Sequence, residues 1–142
     1  MGRLDWLDRI AQVLIALVAL LALANGLMML VSPLGWYQMM MPTIQLTGPA
    51  NPHFIRDIGL AYLCSGVMLV YAVIDPRGRW LAAVAGSLWL GAHGALHVYE
   101  VLAGIGAAAV LWGDAPAVLG PPIVVWIAIG ILRARRRTPQ AL

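Results

Sequence analysis

Residues 10–31 read IAQVLIALVALLALANGLMMLV, an unbroken apolar run with no charged side chain. Crossing a hydrocarbon core of about 30 Å takes about 20 residues at 1.5 Å rise each. This run therefore predicts a transmembrane helix, and it sets the class of the whole chain. A cleaved signal peptide is the alternative, and Ala22-Leu23-Ala24 has the small-residue pattern of a cleavage site. Its apolar region would, however, be only about 7–15 residues long and would follow a positive flank. Here the run is longer, and Arg3 and Arg9 are offset by Asp5 and Asp8. The expectation is a retained anchor.

Three further runs follow, at about 54–74, 80–104 and 117–132. The second holds Arg56 and Asp57 near one end, and the third carries His93, His97 and Glu100. The fourth is short and contains Pro121-Pro122; a start near Ala107 with a proline kink would give it full length. The fold expected is an all-α, integral membrane four-helix bundle forming a single domain over 1–142.

Composition agrees. The chain is 62% hydrophobic and 11% charged, with a mean hydropathy of +0.86. Soluble domains carry about 25% charged residues, enough to face water on all sides. The net charge of +3 comes from arginine alone, and eight of the nine arginines flank apolar runs (Arg3, Arg9, Arg77, Arg79, Arg133, Arg135, Arg136 and Arg137). That placement reads as topology and anionic-lipid contact, and it excludes a phosphate-tracking groove for nucleic acid. All eight fall on one side if both termini are cytoplasmic, leaving Arg56 on the other. The expected location is the inner (plasma) membrane of a bacterium, multi-pass, with the lipid bilayer as first partner. Trp6 and Trp80 then mark one interface, and Trp36, Tyr37 and Trp112 the other.

Residues 32–52 are long for a connection and hold Pro33, Pro42, Pro49 and Pro52. With Trp36, Tyr37 and Met39-Met40-Met41 the segment is too apolar to float free, so an interfacial loop capping the bundle is expected. Methionines ligate soft copper, but packing is the simpler reading without histidine or cysteine alongside. Cys64, the lone cysteine, reads as a buried small hydrophobe. Gly59, Gly66, Gly86, Gly91 and Gly94 offer small surfaces for close helix approach.

One constellation carries chemistry. The three histidines fall in two stretches, with Arg56 and Asp57 beside His53, and Glu100 beside His93 and His97. At 100° per residue, His93, His97 and Glu100 lie within about 60° on one helix face, and His53 and Asp57 are one turn apart. The short turn at 75–79 makes the second and third spans antiparallel neighbours, which brings both polar stripes to one depth. Asn25 lies in the outer third of the first span and shares that depth. Ionisable groups inside a span cost about 2.5–3.5 kcal/mol each and mark function. The expected site is a metal centre (zinc, iron or copper) on His53, Asp57, His93, His97 and Glu100, with Arg56 as charge partner. Haem held by His53 with His93 or His97 is a variant of it. Two other readings stay open: a structural hydrogen-bond network, and a proton or solute pathway. The H-x-x-x-H spacing is neither the zincin motif nor the di-iron bundle pairing. Tyr62, Tyr71 and Tyr99 read as packing, and no phosphate loop, G-x-S-x-G or C-x-x-C motif occurs.

The stretch Arg56-Asp57-Ile58-Gly59-Leu60-Ala61-Tyr62, the turn Asp75-Pro76-Arg77 and the His93/His97 helix together resemble small four-span bacterial membrane proteins of the DoxX-like and DUF4345-type group, over residues 8–132. The resemblance implies a four-span fold and, from DoxX-like members, a link to quinone-coupled oxidation; it supplies no site residues. The methionine-rich connection and the density of histidine depart from the pattern. The leading expectation is a metal- or redox-cofactor-binding membrane protein. The alternatives are an accessory or assembly subunit with a membrane-protein partner or a second copy of itself, and a small proton or solute pathway.

Overall fold

The computed structural model describes residues 4–40, 48–105 and 108–136. Six helices occur in it: α1 Leu4–Val31, α2 Pro33–Met39, α3 Pro52–Ile74, α4 Arg79–Leu102, α5 Ala108–Val118 and α6 Gly120–Arg136. No strand occurs among the described residues. Four stretches are long and apolar enough to cross a membrane: Trp6–Val31, Pro52–Ile74, Arg79–Leu102 and Leu111–Ala134. The chain is a multi-pass helical bundle. Expectations that fall on Arg3, Met41, Pro42, Ala107 and Arg137 lie outside the described residues.

The helices form a ring in which α1 packs on α3 and α6, and α4 packs on the same two. Small side chains bring them close. At Gly26 an added Cβ would lie 2.6 Å from the Gly59 carbonyl oxygen, and at Gly59 it would meet the Cβ of Met29 at 2.8 Å. The α1–α3 crossing therefore needs glycine on both helices. The core beyond it is largely alanine (Ala11, Ala19, Ala72, Ala82, Ala83 and Ala128), with Ile15, Leu69 and Val125 fully buried among them. Large apolar side chains such as Leu20, Leu81, Leu88 and Ile127 point outward, which suits lipid as solvent.

Two arginines serve the ends of helices other than their own. Arg56 Nε donates to the Leu30 carbonyl near the end of α1 at 3.2 Å. Arg79 Nε donates to Ala72 O at 2.9 Å, and its Nη2 to Val73 O at 3.2 Å and Gln12 Oε1 at 3.4 Å. Helix ends leave carbonyls without intrahelical partners, and a cation there also opposes the negative end of the helix dipole. The α3–α4 turn is held by Asp75, whose carboxylate accepts from Tyr71 O–H at 2.7 Å, Arg77 N–H at 3.0 Å and Gly78 N–H at 3.1 Å.

Two elements differ from the sequence reading. The 32–52 connection contains a helix, α2, which Pro33 starts with its preset φ. It turns Trp36 inward, only 9% exposed, against Met29 and Ile55 instead of into an interfacial belt. The fourth span is two helices, α5 and α6, interrupted at Leu119 just before Pro121-Pro122. Prolines lacking N–H groups are tolerated in a first turn, so α6 begins where the pair stands.

Gly26→Ala should lower the thermal unfolding midpoint in detergent by the equivalent of about 1–3 kcal/mol, the usual cost of overpacking. Gly130→Ala, with open space around the added methyl, should leave it unchanged or raise it. A second check uses pH. The Tyr71 hydroxyl, and then the Arg77 amide, hold the Asp75 carboxyl below its ordinary range. A depressed native pKa stabilises above the unfolded value, and that contribution is lost as pH falls through the native value. Unfolding midpoints measured downward from neutral pH should drop below about pH 4 in the wild type, and less steeply in Asp75→Asn.

Candidate functional site

At the end of the bundle away from Arg79 and Arg133, a cavity of about 470 Å³ opens between α1, α4 and the fourth span. It owes its existence to the break at Leu119. Below the break α6 packs on both α1 and α4, whereas above it α5 takes α4 and α6 as its partners. The upper half of α1 thus has little contact with the fourth span, and Trp36 and Met40 of the segment after it line the cavity there.

The walls are mainly apolar, contributed by Val18, Leu21, Ala22, Met29, Ile58, Leu90, Leu96, Pro116, Ala117, Val118 and Pro121. Polar groups come from every spanning segment: Asn25 on α1, Tyr62 on α3, His93, His97 and Glu100 on α4, and Asp114 on α5. The α4 groups share a face because they stand four and three residues apart. The His93 ring stacks on Trp89 (centroids 5.6 Å apart, planes at 14°) and meets the edge of Tyr62 at 5.9 Å. His97 lies 4.8 Å from His93 at 81°. These contacts fix both imidazoles by packing, and among the described residues neither ring, nor the Glu100 carboxylate, has a hydrogen-bond or ion-pair partner. Asn25 is held from the roof: Trp36 Nε1 donates to its Oδ1 at 2.8 Å, and its Nδ2 lies 3.6 Å from Met29 Sδ.

The five residues expected to form one centre are divided. His93, His97 and Glu100 line the cavity, and His53 and Asp57 do not. His53 lies in the first turn of α3, where the Asn51 side chain caps the helix by accepting from His53 N–H and Phe54 N–H. Its Nε2 stands 3.5 Å from Asp57 Oδ2, with side chains 79% and 55% exposed. The two polar stripes thus do not share a pocket. Arg56, expected to balance a carboxylate, donates instead to the end of α1. Cys64, expected buried, is exposed. Among the described residues no three His, Cys, Asp or Glu side chains are grouped to hold a metal ion.

Asp114 is the site residue the sequence reading missed. Its signal was an acid within four residues of an apolar run and just before Pro116, but a fourth span starting at 117 leaves it in a loop. No family model matches the chain, and neither a curated protein nor a solved structure matches it. The DoxX-like resemblance thus rests on its short motifs alone.

The division of histidines has a measurable consequence. His93→Ala should lower the unfolding midpoint by the equivalent of about 1–3 kcal/mol, through loss of ring contacts worth about 0.5–1.5 kcal/mol per pair. His53→Ala should stay within about 0.5 kcal/mol of wild type, as exposed substitutions do.

Proposed function

We propose that this chain is a membrane protein that binds a small amphiphilic molecule, neutral or cationic at its polar end, in the His/carboxylate cavity. One observation carries the reading: a largely apolar chamber of about 470 Å³ with His97, Glu100 and Asp114 among its lining groups. Ligand sites occupy about 300–1,000 Å³ and pair apolar walls with a few converging polar groups. The lining includes two carboxyl groups and no arginine, so an anionic ligand is disfavoured by charge. An apolar body would lie against Leu21, Ala22, Leu90 and Ala117, with its head toward His97 and Glu100.

A redox-active organic cofactor satisfies this description as well as a non-redox ligand does. A bare metal ion fits less well, since His93 and His97 sit edge to face and a third donor is not grouped with them. The arginine-rich end is read as cytoplasmic, on the positive-inside rule, which would place the cavity toward the outer leaflet of a bacterial inner membrane.

The test is thermal stabilisation of purified protein by a panel of aromatic amines and neutral amphiphiles. A ligand at a hundredfold excess over its Kd should add about 2.7 kcal/mol of stability. Ala117→Trp, which puts an indole into the chamber, should diminish that gain, and Glu100→Gln should weaken binding of cationic members by about tenfold, the loss of one charge-assisted hydrogen bond. Stabilisation that survives Ala117→Trp undiminished would refute the assignment.

A further inference from the structure

The opposite end of the bundle carries a second recess with contrary chemistry. It has a volume of about 310 Å³ and lies between the first turns of α4 and the last turns of α6. Arg77, Arg79 and Arg133 line it together with Trp80, Ala83, Ile129 and Leu132, and no acidic side chain is in the lining. We propose that this cleft binds the phosphate of an anionic phospholipid from the adjoining leaflet.

The arginines are arranged for that task. The Arg133 guanidinium lies over the Trp80 ring, 4.3 Å from its centroid. The cation–π contact holds the guanidinium at the cleft, and its planar fork of N–H donors matches phosphate oxygens. Arg79 spends Nε and Nη2 on Ala72, Val73 and Gln12, so it contributes chiefly charge. Arg77 sits at the rim in the turn, where Asp75 engages its backbone N–H and leaves the guanidinium to solvent or ligand. Asp75 is outside the lining and already takes three hydrogen bonds. Asp75 offsets part of the Arg79 charge, and the excess of positive charge that Arg77 and Arg133 leave in the recess attracts an anion.

Depth selects lipid over a soluble phosphate. The arginines lie at the ends of two apolar spans, the level of head groups, while Ala83, Ile129 and Leu132 extend the recess toward the acyl region. Basic pockets between helices at that level bind anionic head groups.

The experiment is native mass spectrometry of the full chain, delipidated in a neutral detergent and titrated with phosphatidylglycerol, phosphatidylcholine or inorganic phosphate. Phosphatidylglycerol should bind at least about tenfold more tightly than phosphatidylcholine, and millimolar phosphate should not displace it. Arg77→Gln/Arg133→Gln should lose about tenfold or more in affinity, and Arg9→Gln, at the same end but outside the cleft, should stay within about twofold. Should the double variant fail to fold, Arg133→Lys decides: it keeps the charge and loses the planar donors, and should weaken binding by about threefold. Equal retention of both lipids, an Arg9→Gln loss as large as that of the double variant, wild-type affinity in Arg133→Lys, or displacement by phosphate would each overturn the proposal.

Discussion

A backbone carbonyl at the end of a membrane helix must find a donor, because lipid offers none and leaving it unpaired costs several kcal/mol. In this protein that constraint determines how the helices are joined. Arg56 reaches from α3 to the Leu30 carbonyl of α1, and Arg79 reaches from α4 back to Ala72 and Val73 of α3. Each arginine ties the end of one span to the start of the next at the interface, where the charge can remain solvated. The same bonds fix how far each helix slides along its neighbour, and so set which side chains meet in the middle.

Between those ties the packing is governed by size. Gly26 and Gly59 let α1 and α3 touch along their backbones, and the alanine-rich core draws the remaining helices in at the arginine-rich half. Close packing there leaves the rest of the bundle to be decided by the fourth span. Pro121 and Pro122 cannot donate to the carbonyls of Ala117 and Val118, four residues earlier, and both of those residues line the cavity. The break thus stands in the wall of the chamber, between Val118 and Pro121. A discontinuous membrane helix beside polar side chains is a recurrent way of building a ligand site at depth.

Much of this was legible from the chain. Run length fixes four spans, since about 20 apolar residues have few other uses, and proline placement marks the kink. Helical periodicity correctly put His93, His97 and Glu100 on one face. What periodicity does not contain is the rotation of one helix against another. His53 and Asp57 have the one-turn spacing expected of them, yet their side chains are exposed and outside the cavity. Arg56 was misassigned for a related reason: an ion pair is visible in sequence as opposite charges, whereas a carbonyl acceptor is present at every residue and signals nothing. Asp114 went unnoticed because the boundary of an apolar run interrupted by prolines is ambiguous by about a turn.

The two recesses are of opposite character, and the core between them is closed. Ile15, Leu69 and Val125 are fully buried in the layer that separates them, with Ala19 beside Ile15 at no exposure. A continuous pathway for a solute would require parting helices that glycine and alanine have brought into backbone contact, and the interface arginines oppose sliding. The arrangement instead suits a protein held at a fixed depth by basic groups at one face while it presents a chamber at the other. His93 and His97 form part of the wall of that chamber, with Glu100 and Asp114 among its lining groups.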